Sequence, residues 1–177
     1  MSESVVVNAN GTIQNVFVHV IAGLPAGRTW PVSPEAPLLD QVGCRYTPHV
    51  LGIVAGQTLT VRNSDSTLHN VKMSSEENDL LNQGQPVRGM QSQILFEEPE
   101  MGVTFKCDVH PWMGAWLNVM EHPFFAVSDV QGRFEIMGLP PGTYTLEAWH
   151  ESKQIAPVQF EVEVKADTSH RKDVTLN

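Results

Sequence analysis

The sequence predicts an all-β protein, on three observations. Glycine and proline are frequent, 13 and 12 in 177 residues, and they punctuate the chain at short intervals. Between them run short stretches whose apolar and polar residues alternate with the period of a strand. No segment sustains the 3.6-residue apolar period of an amphipathic helix.

Taken in order, residues 12–21 alternate, with Val16, Val18 and Val20 on one face and Phe17, His19 and Ile21 on the other. A segment rich in glycine and proline, 23–37, follows. Residues 50–54 read as a strand, Ala55-Gly56 as a turn, and 57–62 as a second strand carrying Leu59 and Val61. Asn63-Ser64-Asp65-Ser66 is a loop of turn formers, and 69–73 returns to strand. The polar stretch 74–93 reads as a surface excursion with one short helical turn. Residues 93–97, 103–107 and 115–121 close a β-sandwich, and a second unit begins at His122-Pro123. Its strands are expected at 124–128, 133–136, 143–150, 157–165 and 171–176. Asp129-Val130-Gln131-Gly132 and Leu139-Pro140-Pro141-Gly142 supply turns between them. The expected domains are therefore 1–122, including an N-terminal strand extension, and 123–177.

A hydrophobic fraction of 41% and a charged fraction of 18% are those of a soluble globular protein. No run of about 18 apolar residues exists, so no membrane span is expected. The start Met1-Ser2-Glu3 has neither a basic segment nor an apolar stretch after it. That suits either a cytoplasmic chain or a mature exported protein. The formal charge is −9, from 20 acids against 11 bases, with no basic patch. Nucleic acid is excluded as a partner, because such binding rests on neutralising phosphates. A basic protein partner suits the charge better.

The informative run is Cys107-Asp108-Val109-His110-Pro111-Trp112-Met113. It offers a thiolate, an imidazole and a thioether directly after a strand, a set that selects a soft, redox-active ion such as copper. A trigonal site needs one further imidazole from elsewhere, and His69, at the start of a strand after a polar loop, is placed to supply it.

Together, His69-Asn70-Val71 and the later Cys-x2-His-Pro-Trp-Met run resemble the cupredoxins, with a short ligand loop like that of amicyanin-type members. The lead-in Ala55-Gly56-Gln57-Thr58-Leu59-Thr60-Val61 and Phe105, two before the cysteine, extend the likeness over roughly residues 41–121. The resemblance implies a Greek-key cupredoxin-like β-sandwich and one copper ion cycling between Cu(I) and Cu(II). It implies His69 and His110 as nitrogen ligands, Cys107 as thiolate, Met113 as axial ligand, and Asn70 as the residue that holds the ligand loop. It further implies that Pro111 and Trp112 form the rim where electrons enter and leave. A redox partner such as a c-type cytochrome or a copper or haem enzyme follows, as does a periplasmic or extracellular setting. Residues 123–165 resemble a carboxypeptidase regulatory-like, transthyretin-type β-sandwich, whose role is mostly structural.

Cys44 and His49 depart from the simple family pattern. His49 reads as an additional ligand, as a residue supporting one, or as a surface histidine. Cys44 reads as an unpaired thiol or as a partner of Cys107 in a disulfide, which would leave a non-redox binding module. Copper storage or delivery is the other alternative. Catalysis has no support, for no nucleophile elbow, phosphate loop or carboxylate pair is present. An electron carrier rather than an enzyme is expected.

Overall fold

The computed structural model describes residues 5–166 and 168–176; the Met1-Ser2-Glu3 start that bears on export lies outside them. The described residues form thirteen strands and no helix. In chain order these are β1 (Phe17–Ala22), β2 (Leu38–Gln41), β3 (Tyr46–Thr47), β4 (Val50–Val54), β5 (Thr58–Asn63), β6 (His69–Ser74) and β7 (Leu81–Gln85). There follow β8 (Gln91–Leu95), β9 (Glu100–Lys106), β10 (Gly114–Met120), β11 (Phe125–Val127), β12 (Gly142–Trp149) and β13 (Val158–Val164). They divide into two units, Trp30–Pro123 and a second that joins the segment up to Thr29 with the chain from Phe124 onward.

The first unit is a β-sandwich, with sheet orders β4-β10-β9-β6-β7 and β3-β2-β5-β8. Strand alternation builds its two inner faces. Leu39, Leu59, Val61 and Ile94 from one sheet meet Ile53, Val71, Val103, Phe105 and Leu117 from the other in a single core. Burying each such side chain stabilises by about 1.5–3 kcal/mol, so truncating Phe105 to alanine costs about 3–5 kcal/mol.

Strand pairing gathers the functional loops at one pole. β6 and β9 are antiparallel with Lys72 opposite Lys106, so His69 at the start of β6 lies beside the end of β9. β9 and β10 form a hairpin with Gly114 opposite Lys106, and the loop between them is 107–113. β2 and β5 run parallel and finish together, Gln41 opposite Asn63, which brings the β2–β3 turn against the 64–68 loop. In that turn the Val42 amide donates to the Arg45 carbonyl at 2.9 Å. Gly43 has φ 63° and Cys44 φ 53°, the left-handed pair of a type I′ hairpin.

The stretch expected as a surface excursion contains β7, an edge strand carried by polar residues. Its Gln85 is fully buried, accepts from Gln41 Nε2 at 2.6 Å, and donates to the Val61 carbonyl and Ser92 Oγ. Because the amide is paired on both sides, its burial is tolerated.

The second unit is a four-stranded sheet in the order β11-β1-β12-β13. This corrects the expected domain limits: β1, read as an extension of the first domain, pairs with β11 and β12 in the second, Phe17 lying opposite Val127 and Trp149. Phe17, Val18 and Val20 are almost fully buried, and the strand is paired along both of its edges. Residues 133–136 and 171–176 are not strands. The former follow a turn in which Asp129 Oδ1 accepts from the Gln131 and Arg133 amides. The second sheet of a transthyretin-type sandwich is not formed among the described residues.

Candidate metal centre

His69 and Cys107 enter the pole from adjacent strand ends and are 0% and 2% exposed; His110, from the connecting loop, is half-buried. The two imidazole Nδ1 atoms lie 3.0 Å apart, and Cys107 Sγ stands 4.0 Å from that of His69 and 3.7 Å from that of His110. The point equidistant from the three atoms is about 2.1 Å from each. Bonds from a first-row metal run about 2.0–2.1 Å to imidazole nitrogen and about 2.3 Å to thiolate sulfur. The three donors are thus already spaced for one ion.

The surroundings fix their orientation. Asp65 Oδ2 lies 2.8 Å from His69 Nε2, which therefore carries the ring proton and leaves Nδ1 free to ligate. Asp65 in turn accepts from the Gly43 and Cys44 amides at 2.8 and 2.9 Å. Burial alone pushes its carboxyl upward, but the Cys44 amide, the His69 ring and the Gly43 amide outweigh it and hold the group below the usual carboxylate range. The Asn70 amide points at Cys107 Sγ, 3.4 Å away, and Asn70 Oδ1 accepts from the Asp108 amide at 3.1 Å. The Tyr46 hydroxyl reaches the Asn70 and Lys106 carbonyls at 3.1 and 3.2 Å, bridging the two strands that deliver His69 and Cys107. Burial, then the nearby Cys107 and Asp108, pushes that phenol up, so it stays neutral.

Met113, 2% exposed, belongs to the same buried core as Cys107, and its amide closes the loop onto the His110 carbonyl at 2.9 Å. Pro111 and Trp112 are exposed, the indole with its centroid 5.2 Å from that of His110. His49 is not part of the convergence: its Nδ1 lies 3.0 Å from the carbonyl of Gly114, at the base of the ligand loop. The Cys44–Cys107 disulfide is not formed, and both thiols are free. Each faces a different edge of one ring: Cys107 meets His110 Nδ1, and Cys44 Sγ lies 3.9 Å from His110 Nε2. Asp65 is the functional residue that sequence reasoning missed. Its signal was available four residues before His69, but a run of turn formers masks it.

Fold and site together give a β-sandwich with a cluster of candidate soft metal donors at one pole. No family model matches the chain, and no curated protein matches it. Among solved structures it is similar to a copper-containing nitrite reductase from Thermus scotoductus, at TM-score 0.46 and 21% identity, over 56% of this chain and only 25% of that one. It is also similar to a purple cupredoxin from Nitrosopumilus maritimus, at TM-score 0.40 and 23% identity, over 47% of this chain and 98% of that one. For a reduced amicyanin mutant the values are 0.43 and 20%, over 58% and 97%. At these levels of likeness the chemistry of the chain rests on its own atoms.

Proposed function

We propose that this chain is a mononuclear copper protein that carries single electrons between redox partners. The observation behind the reading is the convergence of His69 Nδ1, His110 Nδ1 and Cys107 Sγ on one point. Thiolate with two imidazoles suits a soft, redox-active ion, and Met113 in the same loop would supply a thioether to it. Bound there, copper supplies one-electron exchange between Cu(I) and Cu(II).

The protein's own groups do the rest. Asp65 keeps the His69 lone pair aimed inward, and the Asn70 amide stabilises the sulfur anion. With His69 at the start of β6 and Cys107 directly after β9, these two donors would need little movement when the charge at the centre changes. Half-buried His110 lies within the rim of Pro111 and Trp112 and is the contact edge for a partner. A formal charge of −9 favours a partner with a basic surface, such as a c-type cytochrome or a copper or haem enzyme, met through a small transient contact. The periplasm or the extracellular space is the setting that suits this chemistry.

Adding Cu(II) to the metal-free protein should produce an intense visible thiolate-to-copper band, lost in Cys107→Ser with the β circular-dichroism spectrum retained. No band in the wild-type protein would sink the reading. Tight colourless Cu(I) binding without a reversible voltammetric wave would make the chain a copper store instead.

A further inference from the structure

The Cys107 site is closed. His69, Cys107 and Met113 are each 2% exposed or less, so an ion that reaches them has to shed its water on the way. Of the sulfurs at this pole, only that of half-buried Cys44 stands nearer to solvent. Its Sγ lies 3.9 Å from His110 Nε2, a spacing close to the 3.7 Å between Cys107 Sγ and His110 Nδ1. With bonds of about 2.0–2.1 Å to nitrogen and about 2.3 Å to sulfur, one ion spans the outer pair at an angle of about 130°. Cys44, His69 and His110 each place a donor atom within 4.8 Å of the other two. Two soft-donor sets thus share the same imidazoles, one outer with Cys44 and one inner with Cys107.

The backbone at Cys44 is held there against its preference. It occupies the second central position of the type I′ turn at φ 53°, where glycine is the strain-free residue. Asp65 binds its amide and the Trp112 indole donates to its carbonyl at 3.1 Å. A glycine would complete the turn at lower energy but would offer no sulfur to His110.

We propose that Cys44 is the receiving ligand for Cu(I), which is captured between Cys44 Sγ and His110 Nε2 and handed to the buried Cys107 site. This rests on the copper reading of that inner site. The copper keeps its oxidation state throughout. On capture the Cys44 thiol gives its proton to water as the sulfur–copper bond forms. On transfer the bonds from copper to Cys44 Sγ and His110 Nε2 break as bonds to Cys107 Sγ, His69 Nδ1 and His110 Nδ1 form. The Cys107 proton passes through water to Cys44 and the His110 ring proton moves from Nδ1 to Nε2, so one proton is released per ion. Thiolate and imidazole favour Cu(I) over hard cations at both stages.

Anaerobic stopped-flow loading of the metal-free full chain, with Cu(I) supplied as its bicinchoninate complex, tests this. Cys44→Gly, which removes the sulfur and relieves the turn, is expected to load at least tenfold more slowly than wild type. Cys44→Ser should be slowed to a similar degree. Cys107→Ser should still take up one Cu(I), and the Cys44→Gly/Cys107→Ser double variant none. Loading of Cys44→Gly at the wild-type rate, or no Cu(I) uptake by Cys107→Ser, overturns the proposal. The inner site is read separately by the visible band of the wild-type protein with Cu(II), so failure of the receiving ligand and failure of the electron-carrier reading give different results.

Discussion

Asp65 and His69 are four residues apart and meet at 2.8 Å, carboxylate oxygen to imidazole Nε2. The same carboxylate ties down the two amides of the β2–β3 turn, so a single side chain orients a candidate ligand and anchors the loop that carries Cys44. Partners of this kind typically contribute a factor of 10–100 in metal affinity. Asp65→Ala should weaken copper binding by about that factor in chelator competition. Asp65→Asn keeps an acceptor for the ring proton but removes a negative charge that favours Cu(II). It should lose less affinity and show a raised reduction potential by voltammetry. Unchanged affinity in Asp65→Ala would leave the carboxylate with a purely structural role.

The two thiols differ in reach. Cys107 is 2% exposed, whereas Cys44 is half-buried, with the Trp112 indole donating to its carbonyl. Labelling the metal-free protein with a chromogenic disulfide should therefore be biphasic, one sulfur reacting at least tenfold faster than the other, and Cys44→Gly should remove the fast phase. Trp112→Ala should speed that phase further. Equal rates for both thiols would contradict the burial described here.

Met113 lies in the core that also holds Cys107, on the loop that His110 also occupies. A weak thioether donor stabilises the more highly charged Cu(II) more than Cu(I). Met113→Leu, close in volume, should cost under about 1.5 kcal/mol in folding, keep the thiolate band and raise the reduction potential. A potential that does not move would assign Met113 to packing alone.

What the sequence showed and what it hid have the same physical source. Leu59, Val61, Val103 and Phe105 alternate because one face of each strand is buried, and that pattern is local. The loop 107–113 is also local, and so are its spacings. β7 was hidden because its buried member, Gln85, is polar; burial there depends on Gln41, 44 residues earlier, which no window along the chain relates to it. β1 was legible as a strand, but its partners lie more than a hundred residues away, and alternation carries no information about which edge it joins. The strands expected at 133–136 and 171–176 had composition in their favour but find no place in the ladder.

Glu100, at the start of β9, accepts from Ser75 Oγ, the Glu76 amide at 2.7 Å, the Glu77 amide at 3.3 Å and Asn78 Nδ2 at 3.1 Å. It thereby orders the turn that follows β6, the strand that begins at His69. Burial by itself raises the Glu100 carboxyl, but Ser75, the Glu76 amide, Asn78 and the Glu77 amide together hold it below its ordinary value of 4.5. A group depressed on folding stabilises fully above its unfolded pKa and loses that contribution as pH falls through the folded one. Glu100→Gln should therefore be less stable than wild type by about 1–3 kcal/mol at pH 7, since it weakens charge-assisted bonds and turns an amide donor toward other donors. The difference should narrow as pH falls from 7 to 3, because the wild-type carboxylate loses its charge only on the acid side of its ordinary value of 4.5. Urea unfolding of both proteins at pH 7 and pH 3 measures it. An equal gap at the two pH values would show that the shape of the side chain, rather than its charge, holds the turn.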